Sequence, residues 1–323
     1  MATQNRIALI GLGYLGKIHL KLLFENTDWR LVGVYDIDQN LCKQLSEHYN
    51  VKSFNSLYEA IESSDAIDVV TPSNTHFDIA RQAVIAGKHV FIEKPFTTTL
   101  KEAKLLQSLV TEANVCLQVG HVERFNPAFI SAQPYFNDPR FIEVHRLAQY
   151  NPRGTDVSVV LDLMLHDIDL LLSIVPHNIK KINAVGAKLV SHSADIVNCR
   201  IEFENGCVAN LTANRMAFKN VRKFRVFNKD NFLSINLLDK VTEAVKIQNA
   251  SANSKNLIIE TGKSMPKKEV IFEHPIILPT NAIKEELLAF YNSINSDRKS
   301  IISAVDAIKS LEVAEEIEEK IKN

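Results

Sequence analysis

The chain has 323 residues, enough for two domains, and 46% of them are apolar, enough for a core in each. Lys and Arg number 37 against 38 Asp and Glu, which gives no electrostatic case for nucleic acid or a membrane surface and leaves a small molecule as the expected partner. Cys42, Cys116, Cys199 and Cys207 form no C-x-x-C pair and no metal-ligand spacing, and the first apolar run is too short and glycine-rich for a signal peptide, so a cytoplasmic protein with reduced thiols and no metal is expected.

The most informative stretch is residues 6–36. An apolar run at 7–10 turns through Gly11-Leu12-Gly13-Tyr14-Leu15-Gly16 into a helical pattern ending near Asn26, and a second apolar run at 31–35 ends on Asp36. Strand, glycines, helix, strand and acid in this order are what a bound dinucleotide requires. Gly11 permits the tight turn, Gly13 lets the backbone approach a pyrophosphate, and Gly16 allows helix and sheet to pack closely. Tyr14 and Leu15 open the helix, whose backbone N–H groups and positive dipole end would receive the diphosphate. Asp36 lies 20 residues after Gly16, placed to accept hydrogen bonds from the adenosine ribose. Its charge would repel a 2′-phosphate and Ile37 offers none in compensation, so NAD is favoured over NADP.

Short apolar runs continue to alternate with helical patterns as far as Gly120, the signature of a parallel sheet covered on both faces. Helices are expected at 39–48, 57–63, up to residue 86 and at 100–112, and strands at 51–54, 66–70, 89–92 and 115–119. Ligands of such sheets bind beyond the carboxyl ends of the strands. Thr71, Pro72, Asn74 and His76 follow one of these ends and Glu93 and Lys94 another, so all face the crevice of the glycine turn.

From residue 140 the texture changes to long alternating runs. Strands are expected at 140–149, 179–190, 196–203, 207–215, 224–227, 232–237, 241–247 and 269–272, with Asn205-Gly206 and Asp230-Asn231 as hairpin turns and helices at 282–294 and 304–321. The polar stretch 249–264 reads as a mobile loop. The fold class is α/β: a Rossmann parallel sheet in residues 1–122, then an α+β domain with a largely antiparallel sheet in 123–323. One face of that second sheet would need covering, which a second subunit supplies, so a homodimer or homotetramer is expected.

A helix is inserted at 159–175, the most apolar of the chain; it carries Asp162, His166, Asp167 and Asp169 and is no membrane span. Asp162 and His166 are four apart and share a face, with Asp169 near the same stripe. The pair is what a buried histidine held by a carboxylate looks like. It is also what removal of a hydroxyl proton requires as hydride leaves carbon. Metal binding is disfavoured because no further ligand set shares the spacing. Lys94 reads either as a solvated strand-end lysine or, backed by Pro95 and beside Glu93, as an ammonium stabilising charge on a reacting oxygen.

Together Gly11 to Gly16, Thr71-Pro72 with His76, Glu93-Lys94-Pro95, Asp162 with His166, and Ser303-Ala304-Val305-Asp306-Ala307 resemble the Gfo/Idh/MocA family of sugar and polyol oxidoreductases, named after glucose–fructose oxidoreductase and inositol dehydrogenase. The resemblance covers nearly the whole chain. It implies that Lys94 touches nicotinamide ribose and substrate, and that Asp162 and His166 act on the reacting hydroxyl. The stretches 119–127 and 160–169 look like those of the UDP-N-acetylglucosamine 3-dehydrogenases, whose product is a 3-keto nucleotide sugar. The inositol-type pattern with a glycine between aspartate and histidine is absent, since Leu163, Met164 and Leu165 fill the interval.

A nucleotide sugar would need cations at its diphosphate. Arg153 is the best placed by sequence, Arg215, Lys219 and Arg222 are secondary, and Arg124 and His121 border the nicotinamide or brace the domain junction. The rival expectations are a dehydrogenase of a free sugar, polyol or inositol, and a non-catalytic dinucleotide sensor; retention of Lys94, Asp162 and His166 argues against the sensor.

Overall fold

The structure is a computed structural model and describes residues 5–151, 157–251, 254–262, 265–296 and 300–322. Its contacts divide the chain into two compact units, Met1–Val122 with Asn281–Glu312, and Glu123–Thr280 with Val313–Asn323. The first unit thus takes in a late segment, residues 281–312, beside the stretch that ends at Val122.

The first unit runs β1 (Arg6–Ile10), α1 (Tyr14–Glu25), β2 (Arg30–Tyr35), α2 (Gln39–Tyr49), β3 (Lys52–Ser53), α3 (Leu57–Glu62), β4 (Ala66–Val69), α4 (His76–Ile85), β5 (His89–Glu93), α5 (Leu100–Ala113) and β6 (Leu117–Gly120). The six strands are all parallel, in the order β3-β2-β1-β4-β5-β6. That order is the doubly wound arrangement whose switch point lies between β1 and β4. Ile7 to Ile10 and Ala66 to Val69 are buried throughout, as strands covered on both faces must be. Local sequence sets the helix ends: Thr99 and Glu102 form a capping box at α5, and Gly87 follows α4 with φ +70°.

Helix α8 (Ala282–Asn295) completes this unit. Its Leu287 and Phe290 are buried with Trp29 and Phe91, and Trp29 Nε1 donates to the Leu287 carbonyl at 3.1 Å. Gln118 Nε2 donates to the Glu286 carbonyl at 2.8 Å, so β6 is also tied to this late segment.

The second unit contains α6 (Pro127–Ala132), which the sequence reading left unassigned, and then β7 (Phe141–Leu147), α7 (Leu165–Ile174), β8 (Ile179–Ala187), β9 (Ile196–Phe203), β10 (Val208–Asn214), β11 (Val221–Phe227), β12 (Asn231–Asn236), β13 (Val241–Asn249), β14 (Leu257–Ile259) and β15 (Lys268–Glu273). The chain passes from the first unit back to the second inside α9 (Ala304–Lys322). The sheet order is β14-β15-β13-β12-β11-β7-β10-β9-β8, antiparallel except that β10 runs parallel to β7. Strand β14 corrects the loop expected at 249–264; it pairs with β15 from Leu257↔Val270 to Ile259↔Lys268.

One face of this sheet buries Ile142, Val144, Val197, Ile201 and Phe224 against Val160, Met164 and Ile168 of the inserted helix. Register lines up a different set on the other face. Val208, Phe141, Phe227, Phe232, Val245 and Phe272 stand opposite one another across six neighbouring strands. Phe227 and Phe232 stack with centroids 4.6 Å apart, and Phe272 is 64% exposed. Among the described residues, no helix is long and apolar enough to cross a membrane.

Candidate functional site

The glycine turn has the geometry its sequence requires. Gly11 has φ +98°, and a Cβ there would lie 2.5 Å from the Val70 carbonyl oxygen; its own N–H bonds the Tyr35 carbonyl at 2.8 Å. A Cβ on Gly16 would fall on the Gly11 carbonyl oxygen, so turn and helix touch backbone to backbone. A Cβ on Gly13 would meet nothing within 4 Å. That open space lies at the N-cap of α1, where no side chain caps the helix, unlike α2, α3 and α5 with Asp38, Ser56 and Thr99. Unfilled N–H groups at a helix start suit an anion.

A cleft of about 420 Å³ opens beside it, lined by Gly11, Gly13, Tyr14, Leu15, Asp36, Ile37, Thr71 and Pro72 among others. Asp36 Oδ2 accepts the Leu12 N–H at 2.6 Å and Oδ1 accepts the Asp38 N–H at 2.9 Å, which fixes the carboxylate at the end of β2. Tyr14 and Ile37 leave large side chains 87% and 90% exposed on the cleft. Uncapped helix, open Gly13, anchored acid and exposed apolar rim together fit a dinucleotide.

The other strand ends are more divided in their roles. Thr71 is half-buried and accepts from the Thr75 hydroxyl at 2.8 Å, and Asn74 is exposed. His76 is 1% exposed, with Nδ1 2.8 Å from the Pro95 carbonyl oxygen and Nε2 2.9 Å from that of Thr71. Burial pushes its pKa below the ordinary value, against the pull of the two carbonyls towards the protonated ring. His76 is therefore a strap between the segments after β4 and β5, its ring buried between the two carbonyls. The Lys94–Pro95 bond is cis, and Lys94 is half-buried at the end of β5.

Glu93 also turns inward. Its carboxylate is 3.3 Å from His19 Nε2 and accepts the Lys94 N–H at 3.2 Å, and it lies over Gly120, where a Cβ would be 2.8 Å from Oε1. His19 Nδ1 is 2.9 Å from Asp68 Oδ2, and both side chains are fully buried. Burial alone would lower the His19 pKa; Asp68 and Glu93 outweigh it and hold the imidazole well above its usual range. Burial raises the Asp68 carboxyl, with His19 pulling it back. Sequence reasoning missed His19 and Asp68. The available signal was Asp68 itself, a charge inside the buried run Ala66-Ile67-Asp68-Val69, which needs an internal partner.

In the second unit the inserted helix is not continuous α-helix. It opens with a π turn, Val160–Met164, in which the Leu165 N–H bonds the Val160 carbonyl, and becomes α-helical at Leu165. Residues four apart overshoot alignment by roughly 40° in an α-helix, and a wider turn reduces that offset. Asp162 and His166 are both half-buried, while Val160, Met164, Leu165, Ile168, Leu170 and Leu171 are inside.

The helix's other two acids are committed to arginines. Asp167 takes two bonds from Arg146 at 2.9 and 2.8 Å, and Arg146 reaches Glu123 at 3.0 Å. Burial opposes ionisation of Glu123, but Arg146 and Arg222 prevail and hold its pKa below the usual carboxylate value. Asp169 takes two bonds from Arg124, each 2.7 Å.

Two of the cations named for a diphosphate, Arg215 and Arg222, have partners within the second unit. Arg124 uses two donors to brace the inserted helix. Arg215 is 6% exposed and donates to the Val157 carbonyl at 2.9 Å, so it is interior structure. Arg222 is 3.2 Å from Glu123, Lys219 is exposed, and Arg153 lies outside the described residues. His121 is 2% exposed, just after β6. Among the described residues no group of three or more His, Cys, Asp or Glu is placed to hold a metal ion.

Comparison with known proteins agrees with this architecture. The NAD-binding Rossmann-fold domain of the Gfo/Idh/MocA oxidoreductase family matches residues 5–121, and the family's C-terminal domain matches residues 131–231. UDP-N-acetylglucosamine 3-dehydrogenase from Acidithiobacillus ferrooxidans is 35% identical over 235 residues, 72% of this chain and 74% of that protein. A solved structure of that enzyme superposes with a TM-score of 0.89 and 29% identity over 98% of both chains. The scyllo-inositol 2-dehydrogenase (NAD(+)) of Bacillus subtilis is 26% identical over 97% of this chain and 93% of its own.

Proposed function

Because the chain belongs to the Gfo/Idh/MocA family of oxidoreductases, we propose that it oxidises a secondary hydroxyl of a sugar, the C3 hydroxyl of UDP-N-acetylglucosamine, with NAD. The observation that carries the chemistry is the inserted helix: of its four titratable side chains, Asp167 and Asp169 are buried on arginines, whereas Asp162 and His166 stay accessible. Two polar groups kept only half-buried on a helix otherwise packed into the core are what a site for a reacting hydroxyl needs. His166 takes the hydroxyl proton, Asp162 orients the imidazole or the hydroxyl, and the Lys94 ammonium stabilises negative charge on the oxygen.

The dinucleotide supplies the hydride acceptor. Gly13 and the first turn of α1 hold its diphosphate, and Asp36 with neighbouring Asp38 disfavours a 2′-phosphate, which supports NAD over NADP.

The substrate within the sugar class is supported by the 35% identical relative. A free sugar or polyol is the second reading, and the burial of Arg215 favours it. A single-turnover mix of concentrated protein with UDP-N-acetylglucosamine, free N-acetylglucosamine or inositol, each with NAD and with NADP, separates these readings. Reduction of NAD by the nucleotide sugar alone is expected. Reduction only by the free sugar or polyol removes the nucleotide-sugar assignment, and equal use of NADP removes the role given to Asp36.

We further infer a homo-oligomer formed through the outer face of the second sheet. The line of four phenylalanines and two valines supports this, since an apolar strip of that length is costly in water and a second copy carries the same strip. The next row is charged with both signs, Glu143 and Arg225 paired at 3.4 Å, so two copies can meet without like-charge repulsion. Phe227→Asp is expected to convert an oligomer to monomer in light scattering. A wild-type chain that is already monomeric would overturn the inference.

A further inference from the structure

The first unit contains a buried ion cluster that the reaction as described does not use. His19 on α1, Asp68 on β4 and Glu93 at the end of β5 are 0%, 0% and 7% exposed. Two carboxylates so close in the interior would not both stay charged without a cation between them. His19 supplies it, 2.9 Å from Asp68 and 3.3 Å from Glu93.

The placement of the three residues gives the cluster its meaning. His19 lies three residues past Gly16, one turn into the helix that starts at the glycine turn. Glu93 precedes Lys94 and accepts the Lys94 backbone N–H, while Gly120 on β6 leaves room for the carboxylate. His76, the strap on Pro95, also feels the charge of Glu93, so the groups around this carboxylate come from α1, β4, α4 and the Lys94 segment itself.

We propose that His19 is a positioning residue for Lys94: clamped between Asp68 and Glu93, it holds the Glu93 carboxylate against the Lys94 backbone and so ties the glycine-turn helix to the strand end that presents the ammonium. The inference rests on the role given to Lys94 above and adds what sets that role.

The test has two arms. In protein carrying ¹⁵N-labelled histidine, the His19 ring, assigned by its loss in His19→Gln, is expected to show both nitrogens protonated at pH 8, and Glu93→Gln, which leaves Asp68 in place, is expected to lower the pH at which the second proton is lost. This arm needs no substrate, so it separates failure of the inference from failure of the dehydrogenase reading, which shows as an inactive wild type.

In single turnover with the sugar that reduces NAD, His19→Gln and Glu93→Gln are each expected to slow reduction about 10- to 100-fold with NAD affinity within about twofold, as misplacement of a catalytic group does. The double variant should be no slower than the worse single one, because the two act as a unit. Gly120→Ala, which crowds the same carboxylate from β6, should give the same rate loss even if His19→Gln folds poorly. A neutral His19 ring at pH 8, multiplicative rate losses, or loss of NAD affinity with an unchanged rate would each overturn the proposal.

Discussion

His166→Asn is expected to lower the rate of sugar oxidation about 10²- to 10⁴-fold, the usual worth of a positioned general base, while NAD binds as tightly as to the wild type. Asparagine keeps the size and hydrogen-bonding character of the side chain but has no nitrogen basic enough to take a hydroxyl proton. The residues assigned to the dinucleotide all belong to the first unit and His166 to the second, so affinity and rate should part. Reduction in single turnover gives the rate, and titration of Trp29 fluorescence, the chain's one tryptophan, gives the affinity. A variant that retains its rate would show that Asp162 or Lys94 is the base. One that loses NAD affinity in proportion would make His166 part of the cofactor site.

The second large effect is a contrast within the glycine turn. Gly16→Ala is expected to abolish measurable NAD binding and to destabilise the first unit by about 1–3 kcal/mol, the range for forced overpacking. Its new Cβ falls on backbone, the Gly11 carbonyl, and no rotamer can move out of the way. Gly13→Ala meets open space in the folded protein and should leave the melting temperature unchanged, yet it places a methyl where the diphosphate must approach and should weaken NAD binding. Thermal melts with and without NAD read both terms. If the two variants behave alike, the open space over Gly13 is not the diphosphate site.

The parallel sheet was legible because each strand is short, apolar and bounded by turn residues, and because buried strands cannot tolerate much else. Asp68 is the exception, and its partners, on α1 and at the end of β5, are invisible to local reading. The second sheet was legible from period-two alternation, but β14 was not, since its three residues, Leu257-Ile258-Ile259, are too few to show a period inside a polar stretch. For helix α8 the amphipathic pattern says that it packs, and only Trp29 and Phe91 say where.

For the site, spacing puts Asp162 and His166 on one inserted helix, but the π turn at its start depends on packing and leaves no pattern. The arginines carry no such local signal. The partners of Arg124 and Arg215, Asp169 and the Val157 carbonyl, lie 45 and 58 residues away in sequence, so which group each cation meets is set by the fold.

The chain leaves the first unit after Val122, returns at Asn281 and departs again after Glu312. During synthesis, the Rossmann strands therefore emerge long before Leu287 and Phe290, the side chains that cover Trp29 and Phe91. A nascent chain halted near residue 122 presents an unfinished apolar surface to solvent, and most of the second unit must be made before that surface can close. The dinucleotide half of this protein is consequently not a module that can be cut out at its first boundary, and a gene truncated there encodes a client for chaperones in place of a cofactor-binding domain.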